Sequence, residues 1–154
     1  MIKLKLITHI FFSIFILLLF NLLFHVIYIF QIIVLAFVNV LIDVAGHSSY
    51  RGPRRTPLTH SPLSATLIGG IWGAVFFYVL PLLGAPTPLL FMLIGGIIAG
   101  WTHLFLDSMT YNGIFVFKKR FAIAHFKNGL IDIPFLIVSI VLILYIMGYY
   151  AHWP

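Results

Sequence analysis

The 154-residue sequence contains no cysteine and no glutamate, and Asp43, Asp107 and Asp132 are its only carboxylate side chains. Without thiols there are no disulfides, no thiol nucleophiles and no cysteine-ligated metals. Charged residues make up 8% of the chain, against roughly 25% in ordinary globular proteins. Residues 61–102 hold no Asp, Lys, Arg or His at all. So little charge cannot solvate the surface of a water-soluble domain. What is present is apolar: hydrophobic residues are 62% of the chain, and the mean hydropathy is +1.15. The composition specifies an integral membrane protein with residues 1–154 as a single membrane domain. The net charge of +6 sits in short loops and predicts no nucleic-acid partner.

Leu6 to Val44 is one apolar stretch with only mild polar interruptions. As a single helix it would be roughly 58 Å long, nearly twice the hydrocarbon thickness of about 30 Å. It must fold back, and NLLFH (21–25) is its best turn. The expected fold class is all-α, a polytopic membrane protein of five transmembrane helices near 6–22, 26–46, 62–83, 89–110 and 130–150. GAPTP (84–88) separates the third from the fourth, and a basic segment, 111–128, precedes the fifth.

The basic residues orient these spans. Lys3 and Lys5 precede the first; Arg51, Arg54 and Arg55 lie between the second and third; Lys118, Lys119, Arg120 and Lys127 precede the last. Five spans place all nine on one side, so the N-terminus is expected in the cytoplasm and the chain in the cell membrane as a multi-pass protein. An initial signal peptide is not expected, because no small-residue cleavage site precedes the second span. The basic loops are expected to anchor to anionic headgroups. GGIWG (69–73) and GGIIAG (95–100) place small residues four apart, a pattern that lets helices three and four form a tight hairpin.

The same topology gathers the scarce polar groups. His103 and Asp107 are one helical turn apart at the cytoplasmic end of span four, and Asp43 and His47 are similarly spaced at the end of span two. His9 opens span one on that side. His60 precedes span three, with Ser61 as N-cap and Pro62 as first helical residue. A carboxylate at a helix C-terminus opposes the helix dipole, and burial removes its hydration. Compensation can come from a metal ion or from the arginines of RGPRR, for example by pairing Asp43 with Arg51 or Arg54. Imidazole and carboxylate suit zinc, manganese or ferrous iron, with zinc or manganese foremost. Arg54 and Arg55, beside the N-terminus of span three, are candidates for holding a phosphate. His25 and His152 fall on the opposite side; His125 and Asp132 lie outside the paired pattern.

The motifs Thr8-His9, Phe12-Ser13, Asp43…His47, RRTPLTHS (54–61) and GWTHLFLDSMTYNGIFV (100–116) resemble a small archaeal membrane family of unknown function. That family is related to the inner-membrane metal-dependent hydrolases of the bacterial LexA-binding group. The likeness covers nearly the whole chain, and R-x-P-x-T-H-S with H-x3-D-x2-T-x2-G is fairly specific in combination. KKRFAIAHFKNG (118–129) is similar to the basic stretch of the archaeal branch. The resemblance implies a metal site formed by His9, Asp43, His47, His60, His103 and Asp107. Bacterial relatives read D-x-D-H where this chain has IDVAGH, with one aspartate and a longer spacing.

The expected function is hydrolysis at the cytoplasmic membrane face, on a phosphate ester or lipid headgroup. His103, Asp107, His47 and His60 would be the principal ligands, with His9 an additional ligand or its support. Asp43 and Asp107 are the catalytic candidates, Asp43 as a further ligand or as the base that orients water. The alternative is a non-catalytic membrane subunit of a larger complex, in which the same side chains fasten helices together. A pump or channel is disfavoured because no ionisable residue lies at mid-membrane.

Overall fold

Asn21 ends the first helix and builds the turn that follows it. Its carboxamide donates to the Leu17 carbonyl and to Gln31 Oε1, and accepts from the Tyr28 amide. Its own carbonyl accepts from Phe24 and Val26, while His25 takes φ +54°. The structure, a computed structural model, describes residues 4–46, 56–117, 119–124, 126 and 131–151. Helix α1 (Leu4–Leu22) thus closes at the NLLFH turn, as expected from the length of the apolar run. Its buried face repeats every four residues through His9, Ser13, Leu17 and Asn21.

The second span differs from expectation. It begins at Ile29 rather than near 26 and is broken into α2 (Ile29–Ala36) and α3 (Val38–Gly46). Side chains enter its hydrogen-bond ladder: Trp72 Nε1 donates to the Val34 carbonyl (2.7 Å) and Asn39 Nδ2 to that of Ala36 (2.8 Å). The Val40 amide turns to Phe37 instead. Such insertions are a recognised cause of helix breaks.

Helix α4 (Pro62–Val79) starts on the expected cap, with Ser61 Oγ accepting from the Ser64 amide and Pro62 in the first turn. A short 3-10 turn (Leu80–Leu83) and Gly84 at φ +72° lead to α5 (Leu89–Ser108). The α4–α5 hairpin is tight where the glycines predicted it. A Cβ on Gly69 would strike the backbone of Gly96, one on Gly73 the Met92 carbonyl, and one on Gly100 the Ala65 carbonyl.

Beyond α5 the chain forms a structure that composition did not reveal. Strands β1 (Ile114–Val116) and β2 (Lys119–Phe121) pair antiparallel, Ile114 opposite Phe121 and Val116 opposite Lys119. The last helix, α6 (Asp132–Ala151), packs chiefly on α1, and Thr8 Oγ1 donates to the Asp132 carbonyl. Five helical stretches are long and apolar enough to cross a membrane: Lys5–Leu22, Ile29–Gly46, Pro62–Leu83, Leu89–Ser108 and Asp132–Tyr150. Among the described residues, α1 and α5 carry half of the buried polar ones, and the start of α1, the end of α3, the loop before α4 and the end of α5 meet at one end of the bundle.

Candidate metal centre

Asp107 lies at the focus of that meeting point. Its side chain is fully buried in the last turn of α5, an arrangement that costs several kcal/mol unless the charge is compensated. Three imidazole Nε2 atoms surround it. His9 lies 3.2 Å from Oδ1; His60 and His103 lie 3.4 and 3.5 Å from Oδ2. Asp43 Oδ1, from the end of α3, is 3.6 Å from His103 Nε2. The His9 and His103 rings stand 4.5 Å apart, and those of His60 and His103 5.5 Å. The donor atoms form two overlapping groups, His9–His103–Asp107 and Asp43–His60–His103, each spanning no more than 4.8 Å.

The outer ring nitrogens determine what the inner ones present. His9 Nδ1 lies 2.6 Å from the Lys5 carbonyl, which can only accept, so Nδ1 carries a proton. His103 Nδ1 lies 3.2 Å from Asn39 Oδ1. Asn39 is fixed in that sense because its Nδ2 donates to Ser13 Oγ and the Ala36 carbonyl, both at 2.8 Å. Reversing the carboxamide would set oxygen against that carbonyl. Ser13 Oγ bonds in turn to Thr102 Oγ1, which donates to the Ala99 carbonyl. Every member of this chain is buried, and its direction makes His103 Nδ1 a donor. His9 Nε2 is hydrogen-bonded to Asp107 Oδ1 at 3.2 Å, while His103 Nε2 faces Asp107 Oδ2 at 3.5 Å. A buried carboxylate ringed by imidazole nitrogens needs positive charge close by, which ring protons, an ammonium or a metal ion can each supply. Among the described residues, His103 Nε2 makes no hydrogen bond of its own.

The spacing fits such an ion. Ligands at about 2.1 Å in tetrahedral array are separated by roughly 3.4 Å, and the imidazole–carboxylate separations are 3.2 to 3.6 Å. The His/Asp group could hold a metal ion. A protein cation also reaches it: Lys5 Nζ, on a side chain 20% exposed, lies 2.7 Å from Asp107 Oδ1.

Local sequence explains the placement of each group. Lys5 and His9 are one turn apart on α1. Gly46 lets the end of α3 close on the loop, since a Cβ there would collide with His60 and Thr59. Thr59 Oγ1 shares a hydrogen bond with His60 Nδ1. In H-x3-D-x2-T-x2-G the last two residues are architectural. Thr110 Oγ1 donates to the Asp107 carbonyl, and Gly113, at φ +58°, is pressed against the Phe121 carbonyl.

Of the candidate ligands, the structure brings together His9, Asp43, His60, His103 and Asp107. His47, Arg54 and Arg55 lie outside the described residues, as do Arg51, His125 and His152. His25 lies in the turn after α1, at the other end of the helix that starts at the site. Asp132 is buried at the start of α6. Lys5, Asn39, Ser13 and Thr102 were not singled out as site residues. The available signal was a four-residue repeat of polar positions, 5–9–13 in α1 and 39–43 in α3.

A family model described as a protein of unknown function, DUF1286, matches residues 4–106. The chain belongs to this family. The match includes His9, Asp43, His60 and His103 and stops one residue short of Asp107. No curated protein and no solved structure matches the chain.

Proposed function

We propose that this DUF1286 protein is a metal-dependent hydrolase of the cell membrane, working at its cytoplasmic face on a phosphate ester or lipid headgroup. The observation that carries the proposal is the convergence of the His9, His60 and His103 Nε2 atoms on a buried carboxylate, with the outer nitrogens of His9 and His103 fixed by hydrogen bonds. This is how proteins orient imidazoles for a metal. Zinc or manganese suits a set of nitrogen and carboxylate donors without sulfur. Such an ion would supply Lewis acidity and a nucleophile at neutral pH.

The chain's own residues divide the remaining work. His9, His60, His103 and Asp107 would hold the ion, with His47 a further candidate from the adjoining segment. Asp43, whose side chain is 16% exposed, is the carboxylate at the accessible edge and serves as the base that takes a proton from water. Arg54 and Arg55 hold the phosphate. With the N-terminus cytoplasmic, the site lies at headgroup depth, where a lipid phosphate can enter laterally.

Lys5 favours a second reading, a non-catalytic subunit of a membrane complex in which the ammonium alone compensates Asp107. Hydrolysis of bis(p-nitrophenyl) phosphate by metal-loaded protein separates the two. Turnover that depends on added zinc or manganese and vanishes in Asp43→Asn supports the hydrolase. Protein that binds metal yet leaves phosphate esters intact contradicts it. Protein that binds no metal removes both ion and reaction and leaves the subunit.

A further inference from the structure

The β1–β2 hairpin presents side chains that folding alone does not explain. Phe117, immediately after β1, is 94% exposed and adopts φ +54°, a region disfavoured for a bulky side chain. Glycine or asparagine would suit the backbone and the aqueous surface better. Phe121 is half exposed, and Lys119 and Arg120 are exposed beside it. The Arg120 guanidinium carbon lies 5.9 Å from the Phe115 ring centroid, which holds the charge on the hairpin's surface. The basic pair Lys119–Arg120 thus stands between the outward rings of Phe117 and Phe121.

The hairpin is also firmly seated. Ile114 is buried in the main hydrophobic cluster, with Val116 packed against it. The Phe115 amide donates to the His60 carbonyl and the Ile123 amide to the Ser108 carbonyl, both at 2.8 Å. Its base is fixed to the end of a membrane-spanning helix and to a residue of the candidate metal centre.

We propose that this hairpin docks on an anionic bilayer surface, with Phe117 entering the headgroup layer and Lys119 and Arg120 pairing with lipid phosphates. The charge is complementary to an anionic leaflet, which attracts basic segments beside a membrane span. Aromatic rings gain by leaving water at that depth. Reach supports the same occupant: a three-residue strand extends about 10 Å, and the headgroup region adds roughly 5–8 Å beyond the hydrocarbon on each side. Ile114 follows Ser108, the last residue of α5, by only six positions (114 − 108). The proposal is independent of whether the metal centre hydrolyses anything.

The absence of cysteine makes the test direct. A nitroxide on Phe117→Cys in the full chain is followed by power saturation with oxygen and a nickel chelate. The membranes are phosphatidylcholine alone or an equal mixture with phosphatidylglycerol. A nitroxide on Ile137→Cys, exposed on α6, reports correct insertion by staying oxygen-rich in both. The expected result is a several-fold rise in the oxygen-to-nickel accessibility ratio at position 117 when phosphatidylglycerol is present. Adding Lys119→Glu and Arg120→Glu should abolish that rise. A label equally open to nickel in both membranes overturns the proposal, as does equal immersion in both. Dipolar broadening between labels, placing the tip against a second copy, overturns it too.

Discussion

His103 illustrates how much one residue's chemistry can depend on groups that never touch a ligand. Its inner nitrogen is committed by Asn39, which is held by Ser13 and Ala36, with Ser13 bonded in turn to Thr102. Replacing Asn39 with Leu removes the acceptor for Nδ1 and lets the ring turn or change tautomer. Divalent metal affinity should fall about 10- to 100-fold, read by competition with a chromophoric chelator; unchanged affinity contradicts the role given to Asn39. Lys5→Gln tests the opposite sign. Removing an ammonium about 3 Å from Asp107 relieves repulsion of the ion, and affinity should rise by at least about tenfold. If Lys5 is instead the resident counter-charge, the same change lowers stability and no metal binds. The histidines and acids were visible in the sequence because scarce ionisable groups stood out in an apolar chain. Lys5 was not, because a lysine at a helix start reads first as a marker of the cytoplasmic side. Its reach to Asp107 depends on how α1 packs on α5.

At the level of elements, apolar length and polar punctuation were enough to locate all five spans and the turn at Asn21. Small residues four apart were enough to identify the α4–α5 contact. The break at Phe37 was not legible, because Trp72 and Asn39 create it and Trp72 is distant in sequence. The hairpin escaped for a related reason: its strands are three residues long, and their pairing needs the Phe115 bond to His60 and the buried Ile114. The glycine contact makes a paired prediction. Gly69→Ala places a methyl against the backbone of Gly96, which cannot rotate away, and should destabilise the protein by about 1–3 kcal/mol. Gly70→Ala meets only the Ile97 side chain, at 3.9 Å, and should be nearly neutral. Unfolding in mixed detergent reads both; equal effects would contradict the close approach of α4 and α5.

For the whole molecule, the decisive property is that four chain segments bring their polar ends to one side of a five-helix bundle. Single cysteines in a cysteine-free chain report this arrangement. Leu58→Cys, beside His60, should react with an impermeant maleimide only from the cytoplasmic side, and Ala85→Cys, between α4 and α5, only from the other. Reaction of both from the same side contradicts five spans. The convergence itself implies a cation more strongly than it implies any reaction, and the central claim is therefore best tested on the ion. Full-length protein should be purified without chelators and its metal content measured beside that of Asp107→Ala at equal folded yield. A stoichiometric divalent metal in the natural chain, lost from Asp107→Ala, is the expected result. Natural protein that carries no metal and takes up neither zinc nor manganese on titration contradicts it, as does an Asp107→Ala variant that remains fully loaded.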